Sequence, residues 1–299
     1  MAGWHQGDVQ ANGIRLHYTR TGGTKPPLVL AHGVTDDGPC WTPVAQALEA
    51  DYDVIMVDAR GHGRSEAPEA GYDSATQAAD LHGLIEALEL HKPLLLGHSM
   101  GAATTLVLAG TYPDVPGAIL LEDPPQWWLS SDPVLHAEKE QAGTRASAVI
   151  HGRRADDERL LGMQAWFADL KRKTREQLIA EQRAATPGWS EAELEPWADS
   201  KLRVSPNVLS VFDGQTPRMI DWQATLPGIT CAALLIKADP AQGSIVTDDG
   251  AAALKRLIPQ IEIAHIPDAG HNIRRDQVDQ YIAVVRAFVA ENTARTRAS

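Results

Sequence analysis

The five residues Gly97-His98-Ser99-Met100-Gly101 lie between the apolar run Leu94-Leu95-Leu96 and the helix-compatible stretch Ala102–Tyr112, and they constrain this chain more than any other feature. A buried strand that turns into a helix within so few residues leaves no room for side chains flanking the turn, and Gly97 and Gly101 supply none. Ser99 is therefore expected at the tip of a strand–turn–helix, where the dipole of the following helix favours developing negative charge. A glycine-rich turn with a bystander serine would explain the pattern but not its strand and helix flanks. Ser99 reads as a nucleophile that needs a base.

Around this turn, short apolar runs alternate with helical patterns, the rhythm of an α/β fold with a mostly parallel sheet covered by helices. Strands are expected at Ile14–Thr19, Leu28–Ala31, Asp53–Asp58, Leu94–Leu96 and Ala118–Leu121. Helices are expected over Trp41–Ala50, Ser74–Leu90 with Ser74 as its cap, and Ala102–Tyr112. From about Pro124 to Trp222 the alternation stops, and polar helical segments separated by prolines carry six of the eight tryptophans: Trp127, Trp128, Trp166, Trp189, Trp197 and Trp222. It resumes with strands at Ala232–Ile236 and Ile261–Ile266 and helices at Thr247–Leu257 and Val278–Val289, leaving Ala290–Ser299 frayed. The expected organisation is a core of residues 1–123 and 223–299 interrupted by a helical cap, residues 124–222.

A formal net charge of -12 argues against a nucleic-acid partner, which would need a concentrated Lys/Arg face. The opening residues have neither a basic n-region nor an apolar core, and no apolar stretch approaches the ~18 residues that span a bilayer. A soluble cytoplasmic protein without a membrane partner is the expectation. Cys40 and Cys231 are far apart in no metal-ligand spacing, and read as buried free thiols.

Gly270-His271-Asn272, just after the last expected strand, supplies a histidine on a loop at the C-terminal sheet edge. A base must come within hydrogen-bond reach of the nucleophile, and His271 is placed to do so. Acyl transfer also needs two backbone N–H donors aimed at the developing oxyanion. His32-Gly33-Val34 follows an early strand, so Val34 N–H and Met100 N–H are the natural pair, with His32 as a structural hydrogen-bonder. Asp36, Asp37 and Gly38 read as solvated turn residues. The loop Asp58–Ser65 lacks the Gly-Lys-Ser/Thr ending of a phosphate loop and reads as structural.

The ordered set HGVTDDG, DARGHGRS, GHSMG and GHN resembles the α/β-hydrolase superfamily over essentially the whole chain. The resemblance implies an eight-stranded sheet, a cap inserted after strand 6, no cofactor and no metal, and a nucleophile–base–acid triad. Relatives with an aspartate nucleophile are disfavoured by Ser99. Most of the family takes its acid after the seventh strand, at a position that here reads Gly243; Asp239 comes earlier, at the strand end. Some members take it from the sixth strand, at the position matching Glu122. Glu122 is favoured, with Asp239 and Asp123 as alternatives, because a charged Glu at a buried strand end is costly without a function or partner.

The tryptophan-rich cap suggests a largely apolar or aromatic small-molecule substrate, since such pockets are lined by apolar and aromatic groups. A carboxylic ester or lactone is the first choice, with a zearalenone-type lactone as one example. Carbon–carbon bond hydrolysis of ring-cleavage products, or a ligand-sensing member of the fold, are the alternatives. Oligomeric state is not legible.

Overall fold

The computed structural model describes residues 3–131, 160–212 and 220–298. Its eight strands are β1 (His5–Ala11), β2 (Ile14–Arg20), β3 (Pro27–Ala31), β4 (Asp53–Val57), β5 (Leu94–His98), β6 (Ala118–Glu122), β7 (Ala232–Lys237) and β8 (Glu262–His265). They form one sheet in the order β1-β2-β4-β3-β5-β6-β7-β8. β1 and β2 are an antiparallel hairpin turned by Asn12-Gly13, both at positive φ, as a two-residue hairpin loop requires. β2 runs antiparallel to β4, and every pairing from β4 to β8 is parallel. The unforeseen strand is β1: its sequence HQGDVQA is polar and mostly exposed, as an edge strand allows.

The central strands are buried on both faces, and alternate residues feed two cores. Val29, Ile55, Leu95, Ile119 and Leu235 pack beneath helices α2 (Ser74–Ala87) and α3 (Met100–Thr111). Leu28, Leu30, Met56, Leu96 and Leu120 pack on the other face, against helix α1 (Thr42–Leu48) and the C-terminal helix Val278–Ala298. β3 pairs with both β4 and β5, so the winding direction reverses there. A crevice at the C-terminal ends of neighbouring strands follows from such a reversal, and the loops after β3 and β5 carry Gly33 and Ser99.

Two element ends differ from expectation. Asp73, not Ser74, caps α2 by accepting the Thr76 N–H. The C-terminal helix does not fray at Ala290 but runs on to Ala298, with Asn292 buried and bonded to the Phe288 carbonyl.

Between β6 and β7 the described residues are helical: 160–170, Arg175–Ala185, Glu191–Arg203, the 3-10 segment Pro206–Phe212 and the short helix Trp222–Thr225. Residues 132–159 and 213–219 of the expected cap lie outside the described residues. The insert packs on the loops that follow β3 and β4: Ser205 N donates to Gly61 O at 2.8 Å, and Asn207 Nδ2 to Pro68 O at 3.1 Å. Phe167, Val204, Val208 and Leu209 form an apolar cluster with Tyr72, against which Val34 packs. Among the described residues no helix is long and apolar enough to cross a membrane. Cys40 and Cys231 are free thiols, the first buried and the second only half-buried.

Candidate active site

Ser99 has φ 52° and ψ −115°, a sparsely populated backbone conformation that turns its side chain off the end of β5. The flanking glycines are steric necessities. A Cβ on Gly97 would run into the Gly101 carbonyl, and one on Gly101 into the carbonyls of Ala31 and His32. The elbow is tied sideways by Ser99 N donating to Glu122 O at 2.9 Å.

His271 reaches the serine from the loop after β8, with Nε2 3.0 Å from Ser99 Oγ. Its Nδ1 lies 2.7 Å from Asp123 Oδ2. The carboxylate has no proton to give, so Nδ1 carries the hydrogen and Nε2 is free to accept the one from Ser99. His98 Nε2 donates to the His271 carbonyl at 2.9 Å, holding the loop from below. Burial keeps the His98 ring well below its ordinary pKa, hence neutral.

The carboxylate at His271 is therefore not that of Glu122, and the expectation is corrected by one residue. Glu122 is the last paired residue of β6, opposite His98 and Ile236, so the pleat sends its side chain into the sheet face covered by the C-terminal helix. There it accepts from Arg274 N at 3.0 Å and Tyr281 Oη at 3.1 Å, with Arg274 Nη1 at 3.3 Å. Burial raises its pKa against the pull of Arg274. At Asp123 the chain leaves the sheet with φ 43°, which swings the next carboxylate over the strand ends. Asp123 is fully buried and also accepts from Ser244 Oγ at 2.8 Å, Ile245 N at 2.8 Å and Val246 N at 2.9 Å. Asp239, the other alternative, bonds His265 Nε2 at 2.7 Å and Asp268 N at 2.8 Å on the solvent side of β8.

The loop after β3 lies against the serine: a Cβ on Gly33 would come within 3.3 Å of Ser99 Cβ. Val34 is half-buried beside it, and Met100 opens α3. Two buried histidines support the loop. Ala59 N donates to His32 Nε2 at 3.0 Å, and His32 Nδ1 lies 2.8 Å from Gly33 O, which fixes its neutral tautomer. His62 does the same between Thr35 N, at 3.3 Å, and Arg60 O, at 2.7 Å. Thr35 has φ 68°, an outlier for a β-branched residue and a strain of about 1–3 kcal/mol.

Residues 26–274 match the family model described as the alpha/beta hydrolase fold. The chain belongs to the α/β-hydrolase family. It is 31% identical over 288 residues to an N-formylmaleamate deformylase of Pseudomonas putida, an alignment covering 95% of this chain and 96% of that protein. The crystal structure of an N-formylmaleamic acid deformylase from Pseudomonas putida superposes with a TM-score of 0.72 at 24% identity, covering 94% of this chain and all of that one. The enol-lactonase from Burkholderia xenovorans gives 0.68 at 24% identity, over 95% of this chain. The last two likenesses carry the fold.

In this α/β-hydrolase the sequence reading misplaced Asp36 and Asp37, which are buried rather than solvated. Asp36 Oδ1 accepts from Lys201 Nζ at 2.7 Å, and its Oδ2 from Arg274 Nη2 at 2.9 Å and Arg275 Nη2 at 3.0 Å. Burial pushes its pKa up, but Arg275, Lys201 and Arg274 outweigh that and hold it well below the usual value. Asp37 pairs with half-exposed Arg203, yet burial and neighbouring Asp58 push its pKa up to about 7. The available signal was tandem complementarity: two acids follow the loop at Gly33, and two arginines follow the histidine loop.

Most of the insert's tryptophans are spent on packing. Trp128 and Trp222 are buried in the core beside α3, and Trp128 Nε1 donates to Gly250 O at 3.0 Å. Trp127 lies against Trp222, and Trp197 beneath the Lys201 ammonium. Trp189 Nε1 bonds Asp276 at 2.8 Å with the Arg275 guanidinium over its ring.

Proposed function

We propose that this α/β-hydrolase is a serine acyl hydrolase in which Ser99 is the nucleophile, His271 the general base and acid, and Asp123 the group that orients and charges the imidazole. The observation that carries this reading is the continuous line Ser99 Oγ, His271 Nε2, His271 Nδ1, Asp123 Oδ2, with gaps of 3.0 and 2.7 Å. Ser99 Oγ attacks the carbonyl carbon as its proton passes to Nε2. Val34 N–H and Met100 N–H hold the oxyanion; each such donor is worth about 3 kcal/mol in a reaction of this kind. Collapse expels the leaving group, which takes the proton from Nε2. Water, deprotonated by the same nitrogen, then attacks the acyl carbon and releases Ser99. The insert over the loops after β3 and β4 serves as a cap that bounds the substrate site.

The scissile bond we assign is an acyl C–N bond of a small amide, on the strength of the full-length likeness to N-formylmaleamate deformylase. Ester or lactone cleavage is the second reading, favoured by the same triad acting on a better leaving group. A large aromatic lactone loses its support, because the tryptophans that suggested it are largely committed to packing. The test is a panel of N-formylmaleamate, a simple lactone and p-nitrophenyl acetate, with Ser99→Ala beside the native enzyme. Turnover of the amide and the activated ester, both lost in Ser99→Ala, is expected. Retained turnover in Ser99→Ala would remove the triad reading, and lactone turnover without amide turnover would reverse the choice of bond.

A further inference from the structure

We infer that Lys201, carried by the inserted Glu191–Arg203 helix, is a positioning residue for the oxyanion loop and acts through the backbone of Thr35 and the carboxylate of Asp36. The inference rests on the reading of Val34 as an oxyanion donor. Lys201 is only 2% exposed, and its three ammonium protons have three acceptors: Thr35 O at 3.0 Å, Asp36 Oδ1 at 2.7 Å and Ser200 Oγ at 3.1 Å. A lysine buried to this degree is uncommon unless fully paired, and this one spans from the insert to a loop 165 residues earlier in the chain.

Charge neutralisation alone does not account for where the ammonium points. Asp36 Oδ2 is already held by Arg274 and Arg275. Among the described residues, Lys201 is the one side chain that donates to Thr35 O. Thr35 is therefore gripped at both ends, its N–H on His62 and its carbonyl on Lys201, and these two bonds hold it at φ 68°. Val34 immediately precedes it. If the Lys201 bond is lost, Thr35 relaxes toward negative φ, which a β-branched residue prefers, and the peptides before it rotate. An oxyanion donor is effective only when aimed at the position the charge will occupy, so a modest rotation weakens the transition state and leaves ground-state binding largely alone.

The same helix region also holds the histidine side of the site. Glu193 accepts from Arg275 Nε at 3.0 Å, and Trp189 bonds Asp276, whose other oxygen accepts from Gly270 N at 2.9 Å, next to His271. This part of the insert is a fixed strut between the oxyanion loop and the base loop, not an element that lifts to admit substrate.

The experiment is steady-state kinetics of Lys201→Met on p-nitrophenyl acetate, with the pH–rate profile and the double variant Lys201→Met/Thr35→Gly. The expected result is a 30–100-fold fall in kcat, a fraction of the full loss of one donor, with KM within about threefold. The acid limb of the pH profile should not move, because His271 and Asp123 are untouched. Glycine takes positive φ without strain, so Thr35→Gly in the Lys201→Met background should return at least fivefold of the lost kcat. A purely structural lysine would give no such rescue. A kcat within threefold of native, a loss borne by KM, or no rescue overturns the proposal. If Lys201→Met does not fold, Lys201→Arg takes its place, and failure of Thr35→Gly to raise its kcat overturns the proposal equally. Turnover surviving in Ser99→Ala would instead strike the catalytic reading beneath it, so the two failures are distinguishable.

Discussion

Asp123→Asn replaces one carboxylate oxygen with an amide nitrogen, and the four donors around Asp123 decide where that nitrogen goes. Oδ1 receives Val246 N–H and the Ser244 hydroxyl; Oδ2 receives Ile245 N–H and His271 Nδ1. Each oxygen faces one backbone N–H that cannot turn away, so either placement sets the amide against one fixed donor, at about 1–3 kcal/mol. The second donor on each side breaks the tie. With the nitrogen toward His271, the ring must carry its proton on Nε2 and can no longer accept one from Ser99. With the nitrogen toward Ser244, whose hydroxyl can rotate to accept, the tautomer survives but the imidazolium loses its counter-charge. That interaction is worth about 4 kcal/mol for a close pair at an effective dielectric near 20, or about three decades in rate. Both routes lead to a fall in kcat of about 10³–10⁴-fold, the upper figure being that of the corresponding change in serine proteases. The assay is the second-order rate of fluorophosphonate labelling of Ser99, with kcat on p-nitrophenyl acetate and a thermal melt to show that the fold persists. Glu122→Gln is the paired control, with kcat within about fivefold and stability lowered by about 3 kcal/mol, because Arg274 loses a buried counter-charge. A crippled Glu122→Gln beside an Asp123→Asn that keeps a tenth of its activity would refute the reasoning.

Asp239→Asn should leave kcat within about threefold, since its partners are His265 and the Asp268 amide and neither touches the triad; a hundredfold loss in the same assay would restore the seventh-strand acid. Gly101→Ala should lower stability by about 3 kcal/mol and abolish Ser99 labelling, because the added methyl meets the backbone carbonyls of Ala31 and His32, which urea titration will reveal. Asp37 has its pKa raised from 3.8 to about 7 by burial and Asp58, so the native state holds its proton more tightly than the unfolded chain. Its stabilising contribution is complete below about pH 4 and lost as pH rises through about 7. Asp37→Asn, neutral throughout, should flatten the slope of unfolding free energy between pH 5 and 8, and an unchanged slope would rule Asp37 out as its source.

That Ser99 and His271 would face one another was legible because each sits in a short motif whose strand and loop context is local. The carboxylate that meets His271 was legible only to the strand. Glu122 and Asp123 are adjacent carboxylates, and what separates them is the pleat of β6 and the residue at which the chain leaves it, set by pairing with β5 and β7 far along the sequence. Asp36 and Asp37 looked like turn residues because nothing near them in sequence shows that Lys201 and Arg203 will cover them. The six parallel strands announced themselves as apolar runs, whereas β1, an edge strand with alternate residues in solvent, had no apolar pattern to read. Tryptophan content could not separate a pocket wall from Trp128 and Trp222, which are buried in the core.

Asp123 stands one residue before the insert begins, yet its four donors come from Ser244, Ile245, Val246 and His271, all beyond the point where the insert ends. The Asp123 carboxylate is thus bolted to the second half of the core, indifferent to what is spliced in between. The loop at Asp36 is not: it borrows Lys201 from the insert, and Arg275 borrows Glu193. A cap transplanted from another member would leave Asp123 with three of its four donors, those from Ser244, Ile245 and Val246, but orphan Asp36 and Arg275 on the loops beside Ser99 and His271. Exchange of caps in this chain leaves the seat of Asp123 untouched but strips supports from the loops at Thr35 and His271, so a workable graft has to bring its own lysine and glutamate with it.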